Sequence, residues 1–402
     1  MNFIILVNKR ILNSIKSSFK AGRLIPALKS RFKIYLKVLK YFFYSPASRK
    51  IKIHAPLKIE PSQNQFEKDL VQRIFSSYKA MKNNQKKFPE YLPSSLWQDQ
   101  LDNAYNDLQE SVLENNIYLF HKFLTNFGTS DKYTGIEHTS LMKNAAKNPF
   151  TNILVKNIYL NKKLIFWKWF YNNKKNIREL SYPRHGNQCG AFIENEFIGI
   201  GSFFMEINSN IIKNLIDDIN KPVICELGAG YGKLAYFLLR NQSDFCYLDF
   251  DLPELICVAS YYLQLSFPDK KIFLYGENEF NQSQIGKYDF IFMPSFEFSK
   301  SKENSFDIFL NQNSLGEMNR NNATNLIKNA CNATKKYFFH LNHNNYHNHF
   351  EDNSLSLLSD EYPINSEDFK LIFRYPDLGH LIHDGSVDKY QDVFLYLYEK
   401  RK

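Results

Sequence analysis

The chain has few of the residues that crosslink or bend a polypeptide. It contains five cysteines, 14 prolines and 15 glycines in 402 residues. No two cysteines have C-x-x-C spacing, a pattern that favours neither a disulfide framework nor a zinc site. We expect all five to be small core residues of a protein kept in a reducing compartment, the cytoplasm: Cys189, Cys225, Cys246, Cys257 and Cys331.

Acidic residues are absent from residues 1–58, which hold 14 Lys and Arg. The rest of the chain carries 37 Lys and Arg against 41 Asp and Glu, so the basic character belongs to an N-terminal arm. Proteins that work on nucleic acid usually cluster basic residues on their working face. The distribution therefore argues against nucleic acid as a substrate or partner.

Long uncharged apolar runs are also missing, so the sequence predicts neither a membrane-spanning helix nor a signal peptide. In the arm, apolar residues recur at three- and four-residue steps, which predicts an amphipathic helix. The residues of this stripe are Leu28, Phe32, Tyr35, Leu36 and Leu39. Such a helix either packs on the body of the protein or makes peripheral contact with an anionic membrane. For a cytoplasmic protein, this contact would be with the inner face of the membrane. The sequence leaves both interpretations open.

The periodicity of apolar residues changes near residue 180. Residues 59–180 show helical spacing with few glycines, whereas short apolar runs alternate with helical segments from residue 181 onward. This alternation is typical of a mostly parallel sheet with crossover helices. We therefore predict three regions: a basic helical arm at 1–58, a helical region at 59–180, and an α/β domain at 181–402. The last two candidate strands, 369–375 and 392–399, predict a terminal antiparallel pair.

The most informative segment is VICELGAGYGKL, which runs from Val223 to Leu234. A strand-forming run ends in Glu226, three glycines follow at alternate positions, and an apolar helix begins. Glycines allow a sharp turn and let a ligand approach the main chain. A carboxylate about 20 residues beyond such a turn, here Asp251, is where β-α-β units bind ribose hydroxyls. The E-x-G-x-G-x-G form resembles motif I of the class I S-adenosylmethionine (SAM)-dependent methyltransferases rather than the G-x-G-x-x-G of dinucleotide enzymes.

Three segments together resemble one family more closely. They are CELGAGYGKLA from Cys225, FDLPE from Phe250 and DIFLNQNSLGEM from Asp307. They look like the sugar O-methyltransferases encoded in bacterial gene clusters for surface polysaccharides, a resemblance that covers roughly residues 180–400. It implies a Rossmann-like methyltransferase sheet with a terminal antiparallel pair and SAM as the cofactor. It also implies a saccharide, sugar-nucleotide or lipid-linked glycan as the acceptor. Because this sheet has seven strands, we expect 271–275 or 289–293 to be an insertion.

The resemblance places the cofactor at the glycine turn and at the end of the next strand. The expected cofactor-binding residues are Glu226, Gly228, Ala229, Gly230, Tyr231, Gly232, Asp251 and Leu252, with Asp249 as a fallback for Asp251. The fallback ranks lower because we expect the Asp249 side chain to face the opposite side of the strand. An alternative role for Asp251 is to cap the helix that begins near Pro253, since Asp is a good N-cap residue.

Methyl transfer from a sulfonium requires the protein mainly to orient a hydroxyl and remove its proton. Glu317 is the first candidate for the base, although it could instead cap the helix that follows it. His185 and His343 are further candidates, because histidine titrates near neutral pH. The polar residues expected to contact the substrate are Asn313, Ser314 and His340. No metal site is predicted, since the histidine-rich segment from Asn342 to His349 lacks the carboxylates that Mg²⁺ prefers.

Three other functions remain open on the sequence. The first is a methyltransferase-like module that binds the cofactor without catalysis. The second is a small-molecule O- or N-methyltransferase with an acceptor other than a sugar. The third, an oxidoreductase on a Rossmann domain, is disfavoured by the glycine spacing.

Overall fold

The computed structural model describes Leu36, Ser48, residues 50–130, 139–242 and 244–379, Ile382 and residues 392–401. Most of the predicted arm lies outside these residues, so its amphipathic helix and its membrane contact stay predictions. In the described part of the chain, no helix has both the length and the apolar character needed to cross a bilayer.

Helices occupy most of the described chain from residue 65 to residue 170, as the periodicity predicted. They are α1 (Gln65–Gln85), α2 (Ser95–Ala104), α3 (Asn106–Leu113), α4 (Ile117–Asn126), α5 (Thr139–Lys147), α6 (Pro149–Leu154) and α7 (Lys162–Phe170). A π-helical segment, Val155–Asn161, joins α6 to α7. Asn64 caps α1 by accepting a hydrogen bond from the backbone of Glu67, and Asn148 caps α6 in the same way.

Strands and helices alternate in the second half of the chain. The helices are α8 (Ser202–Ile216), α9 (Lys233–Leu239), α10 (Pro253–Ser266) and α11 (Arg320–Ala333). The strands, numbered along the whole chain, are β1 (Lys52–His54), β2 (Gly190–Ile193), β3 (Glu196–Ile198), β4 (Val223–Leu227), β5 (Cys246–Asp251), β6 (Ile272–Leu274), β7 (Phe290–Pro294), β8 (Phe306–Gln312), β9 (Thr334–His343), β10 (Phe369–Pro376) and β11 (Val393–Lys400).

Within the described residues the main sheet has eight strands, in the order β10-β11-β9-β8-β4-β5-β7-β6. The strands from β9 to β6 in this order pair in parallel. Parallel neighbours need crossover connections, and α9, α10 and α11 supply them. Strand β11 is antiparallel to both β9 and β10. The prediction of a mostly parallel Rossmann-like sheet with a terminal antiparallel pair is therefore confirmed.

The expected insertion is itself part of the sheet. Both segments that could be the insertion, 271–275 and 289–293, form a strand, β6 and β7 respectively. Strand β6 is the one beyond the expected seven, because it lies at the sheet edge beyond β7. Helix α1 covers this edge, where Arg73 Nη2 donates to the carbonyl of Ile272 at 3.1 Å. An edge strand covered in this way is protected from pairing with another chain.

The helical region and the sheet share one buried core. Leu70 and Ile74 of α1 belong to the same apolar cluster as Leu255 of α10. At the centre of this contact, Tyr78 Oη and Lys82 Nζ each donate to the Glu254 carboxylate at 2.8 Å. A buried carboxylate is tolerated only when it is paired and hydrogen-bonded. The contact therefore fixes α1 against α10.

A second sheet connects distant parts of the sequence. In the described residues it has three antiparallel strands in the order β1-β2-β3, with Ile53 opposite Ala191 and Ala191 opposite Ile198. The end of the predicted arm thus pairs with the beginning of the predicted α/β domain. The region boundaries at 58 and 180 stay predictions.

Candidate functional site

The segment between β4 and α9 folds as a tight glycine turn. Gly228, Gly230 and Gly232 have φ angles of +79°, +62° and +85°, in the left-handed region that glycine adopts without strain. A Cβ at Gly228 would lie 2.3 Å from Ser314 Oγ, so the packing leaves no room for a side chain at this position. A Cβ at Gly230 would meet nothing within 4 Å. The main chain at Gly230 therefore faces open space.

That space is a cavity of about 290 Å³ at the carboxyl ends of β4, β5 and β8, where open α/β sheets bind their ligands. The lining includes these predicted residues: Glu226, Gly228, Ala229, Gly230, Tyr231, Asp251, Leu252, Asn313, Ser314 and Glu317. It also includes residues that the sequence did not indicate: Ser94, Trp97, Gly201, Met205 and Lys233. Gly232 lies one residue behind the lining, where a Cβ would meet Leu263 at 2.8 Å.

Asp251 holds the glycine turn to the end of β5. Its Oδ2 accepts from the backbone N–H of Gly230 at 3.1 Å, and its Oδ1 accepts from that of Leu252 at 2.7 Å. Each oxygen can accept one further hydrogen bond. Burial raises the pKa of Asp251 to about 8, and the two backbone bonds limit the rise. The N-cap of α10 is Leu252, without a side-chain cap, so the alternative role of Asp251 as the cap is wrong.

Two more carboxylates lie beneath Asp251. Glu226 and Asp249 are register partners on β4 and β5, and residues two apart on a strand share a face. Asp249 therefore points to the same side as Asp251, which corrects our expectation of the opposite side. Asp249 is fully buried and lies outside the cavity lining; burial, with the charges of Asp251 and Glu226, raises its pKa well above the usual range. Glu226 accepts from Tyr247 Oη at 2.5 Å, and burial raises its pKa to about 7.

Glu317 closes a short turn after β8 and contacts the helical region. Trp97 Nε1 donates to Glu317 Oε2 at 2.8 Å, and Ser94 Oγ donates to the backbone oxygen of Glu317 at 2.7 Å. Burial raises the pKa of Glu317, while the Trp97 bond and the nearby His343 oppose the rise. Helix α11 begins after its N-cap residue Asn319, and the Glu317 carboxylate bonds to Trp97 rather than to the first turn of that helix, so the capping alternative is also wrong.

Ser314 and Asn313 both line the cavity, but they differ in whether the side chain is already bonded within the protein. Ser314 Oγ donates to the Leu227 carbonyl at 3.0 Å, and Asn311 Nδ2 donates to the same carbonyl at 2.7 Å. The Ser314 hydroxyl thus fixes the end of β4. Asn313 lines the cavity with an exposed side chain and a φ of +57°, so it remains the better candidate for contact with a ligand.

Two of the predicted histidines lie away from the cavity. The ring of His185 packs at 6.2 Å from that of Tyr262, and burial lowers its pKa. His340 is fully buried between Tyr396 at 4.7 Å and Tyr362 at 4.9 Å, and burial lowers its pKa to about 3. A side chain without exposure cannot touch a substrate, which corrects the assignment of His340 as substrate-binding. Neither histidine lines the cavity.

The third histidine, His343, belongs to a His–Asp pair that the sequence did not reveal. His343 Nδ1 lies 2.5 Å from Asp392 Oδ2. Asp392 Oδ1 also accepts from the backbone of Asn345 at 2.8 Å and of Tyr346 at 2.9 Å. Although burial alone raises the pKa of Asp392, these bonds lower it overall. The pair lies behind Gly316, whose added Cβ would be 3.1 Å from His343 Cδ2, and outside the cavity lining.

Lys233 is the cation of the cavity lining among the described residues. Its side chain is buried, its ammonium lies 4.1 Å from the centroid of the Tyr182 ring, and burial lowers its pKa well below the usual value. Among the residues that the structure describes, no three His, Cys, Asp or Glu side chains are placed to hold a metal ion.

No protein-family model and no curated protein sequence matches the chain. Solved structures do match about half of the chain. Magnesium protoporphyrin IX methyltransferase from Synechocystis PCC 6803 with bound SAM is 12% identical over 50% of this chain and 81% of that chain, with a TM-score of 0.33. The N-methyltransferase NodS from Bradyrhizobium japonicum WM9, in complex with S-adenosylhomocysteine, is 10% identical over 49% and 87%, with a TM-score of 0.31.

Another similar structure is described as the [4+2]-cyclase SpnF, with 10% identity over 48% of this chain and 80% of that chain, and a TM-score of 0.34. Likenesses of this size carry no argument about the chemistry of this chain.

Proposed function

We propose that the chain is a SAM-dependent O-methyltransferase that acts on a saccharide hydroxyl in the assembly of a bacterial surface glycan. The observation that carries this proposal is the convergence of the Gly228–Gly232 turn, Asp251 and Glu317 on one cavity. The saccharide acceptor is taken from the resemblance of the motifs. The cysteine pattern supports a cytoplasmic location.

The cofactor residues suit SAM by geometry and by charge. The open space at Gly230 lets a ligand approach the main chain, and Asp251 keeps one free acceptor site on each oxygen for ribose hydroxyls. Glu226 would accept from the amino group of the methionine part. SAM supplies an electrophilic methyl group on a sulfonium. Buried carboxylates around this cavity favour a cation over a neutral ligand, because a cation offsets the cost of their ionisation.

Glu317 is the proposed base. Its carboxylate is held by Trp97, and burial raises its pKa, which makes it a stronger proton acceptor than an exposed glutamate. In the reaction it would accept the proton of the acceptor hydroxyl while the oxygen attacks the methyl group. The bond between that methyl group and sulfur would break, and S-adenosylhomocysteine would leave. Asn313, exposed at the same wall, would orient the acceptor. The fully buried His340 takes no part in this scheme, and His343 lies behind Gly316.

Calorimetric titration tests the cofactor part. We expect the protein to bind S-adenosylhomocysteine and not NAD, and Asp251→Asn to weaken that binding about tenfold, while Asp352→Asn, an exposed control, leaves it unchanged. Binding of NAD alone would replace the proposal with an oxidoreductase.

Transfer of a tritiated methyl group to a panel of sugar nucleotides and glycolipids tests the reaction. Glu317→Gln should retain cofactor affinity and lose most of the turnover. Cofactor binding without transfer to any acceptor would indicate a non-catalytic module. Transfer to amines alone would remove the saccharide from the proposal.

A further inference from the structure

Helix α7 carries exposed apolar side chains outside the cavity. Ile165 and Trp169, one turn apart on the same face, are 60% and 70% exposed, and Phe170 is 42% exposed. Between them, Trp167 is fully buried and donates its Nε1 to Glu206 at 2.7 Å. The helix is thus anchored on one side and presents an apolar face, Ile165–Trp169–Phe170, to the outside. Contiguous exposed apolar side chains of this size usually mark an interaction surface.

The charge around this face is positive. Residues 139–178, which include α5, α6 and α7, contain nine Lys and Arg and no Asp or Glu. In the described chain three carboxylates from other segments form ion pairs with these basic residues, and one of them, Glu196, lies 3.2 Å from Arg178. Glu194 lies 3.6 Å from Lys168, and the fully buried Glu206 pairs with Lys175 at 2.5 Å. Lys174, beyond the end of α7, is exposed. The face therefore combines large apolar side chains with an excess of basic groups.

The basic N-terminal arm enters the fold beside the same helix. Ile51 is buried in one apolar cluster with Leu164 and Trp167 of α7. The residues before it belong to the segment 1–58, which has 14 Lys and Arg and no acidic residue. These two acid-free segments thus meet at α7, although more than 80 residues separate them along the chain.

We propose that the Ile165–Trp169–Phe170 face of α7 docks on the surface of an anionic lipid bilayer. Helices that bind in the plane of a membrane combine Trp, Phe and aliphatic residues with flanking lysines, and Trp is enriched at the headgroup level. Basic groups near the surface add attraction to anionic lipids. A second copy of the chain would bring the same positive charge to the contact, which disfavours self-association through this face.

Docking of this face on a bilayer does not depend on the proposed methyltransferase function. If both proposals are correct, the docking also indicates which kind of acceptor reaches the cavity. Phe166 of α7 packs at 6.3 Å from Phe204 of α8, and Met205 on the same helix lines the cavity. The cavity would then lie one helix away from the bilayer, which favours an acceptor carried by a lipid over a freely diffusing one.

Vesicle flotation of the full chain tests the docking face. We expect binding to vesicles of phosphatidylcholine with phosphatidylglycerol, little binding to phosphatidylcholine alone, and release by high salt. The double variant Ile165→Ser/Trp169→Ser should bind about tenfold more weakly. The matched control Leu113→Ser, at an 86% exposed position on α3, should bind as the parent does. Far-UV circular dichroism and thermal unfolding show that both variants are folded, independently of the vesicle result and of cofactor binding.

Several outcomes would overturn the proposal. One is equal binding by the parent and the double variant, which would assign any membrane contact to the arm. Another is equal binding to neutral and anionic vesicles, or none to either. A third is a dimer in light scattering that the double variant abolishes, which would make the face an interface between copies.

Discussion

The indole nitrogen of Trp97 and the carboxylate of Glu317 form a 2.8 Å hydrogen bond across 220 residues of sequence. Trp97 belongs to α2 in the helical region, and Glu317 belongs to the turn after β8 in the sheet. The helical region therefore completes the candidate site. A bond to the ionised carboxylate favours its charged form, whereas burial favours the neutral form.

Trp97→Phe should raise the pKa of Glu317, because it removes a bond to the charged form. The base would then stay protonated to a higher pH, so the acidic limb of the pH–rate profile should move to higher pH. Below its plateau the rate should fall about tenfold, as expected for the loss of a hydrogen bond to a charged group. Tyr118→Phe, at an exposed position on α4, is the control. A pH–rate profile identical to that of the parent would show that Trp97 does not influence the protonation of the base.

Substitutions in the glycine turn should separate folding from binding. Gly230→Ala places a methyl group in open space, so it should cost only the strain of a left-handed alanine, about 1–3 kcal/mol, yet weaken S-adenosylhomocysteine binding at least tenfold. Gly228→Ala meets Ser314 Oγ at 2.3 Å and should destabilise the fold itself more strongly. Thermal unfolding together with calorimetry distinguishes the two. Normal cofactor affinity in Gly230→Ala would show that the ligand does not approach the turn.

The three buried carboxylates should make the ligand-free protein more stable in mild acid. The folded-state pKa values of Glu226, about 7, and Asp251, about 8, lie above the unfolded values. Their contribution to the free energy of unfolding is therefore fully present below the unfolded pKa and lost as pH rises through these values. The melting temperature should fall between about pH 4 and pH 8.

Asp249→Asn should make this fall shallower, since it removes one buried ionisable group. The exposed control Glu303→Gln should not change it. Parallel melting curves for the parent and Asp249→Asn across this pH range would contradict the assignment of the pH dependence to this cluster.

His340→Phe should fold as well as the parent or better. In the described structure neither ring nitrogen of His340 has a hydrogen-bond partner, and the ring stacks on Tyr396. Replacing a buried polar ring without partners by an apolar ring of similar shape removes a desolvation cost of about 1–3 kcal/mol. Urea unfolding measures the change, and methyl transfer should be unaffected. A loss of activity in a normally folded variant would return His340 to the substrate-binding residues.

The glycine turn and its partner Asp251 could be predicted from the sequence, because both are local. Backbone conformation at Gly228–Gly232 follows from glycine spacing, and Asp251 follows one β-α-β unit later. The strands were predictable for the same reason, since buried parallel strands form short apolar runs. The position of β6 at the sheet edge could not be predicted from the sequence, because strand order depends on contacts between distant residues.

The remainder of the site depends on tertiary contacts. Trp97 lies in the region whose sequence predicts only helices, and nothing local indicates that its nitrogen reaches Glu317. His343 and Asp392 meet because β9 pairs with β11, where Val393 lies opposite His343. His340 was misassigned because a histidine near the end of a strand has the same local sequence whether it faces a cavity or an aromatic stack.

The pairing of Glu254 with Tyr78 and Lys82 makes the two halves of the chain interdependent. A shortened protein beginning at residue 181 would keep every cofactor residue and still lose both partners of this buried anion. Breaking a buried ion pair in this way costs about 3–5 kcal/mol, a large fraction of the 5–15 kcal/mol that typically separates folded from unfolded protein. Evolution could therefore not readily exchange the helical region for another accessory segment without also changing Glu254.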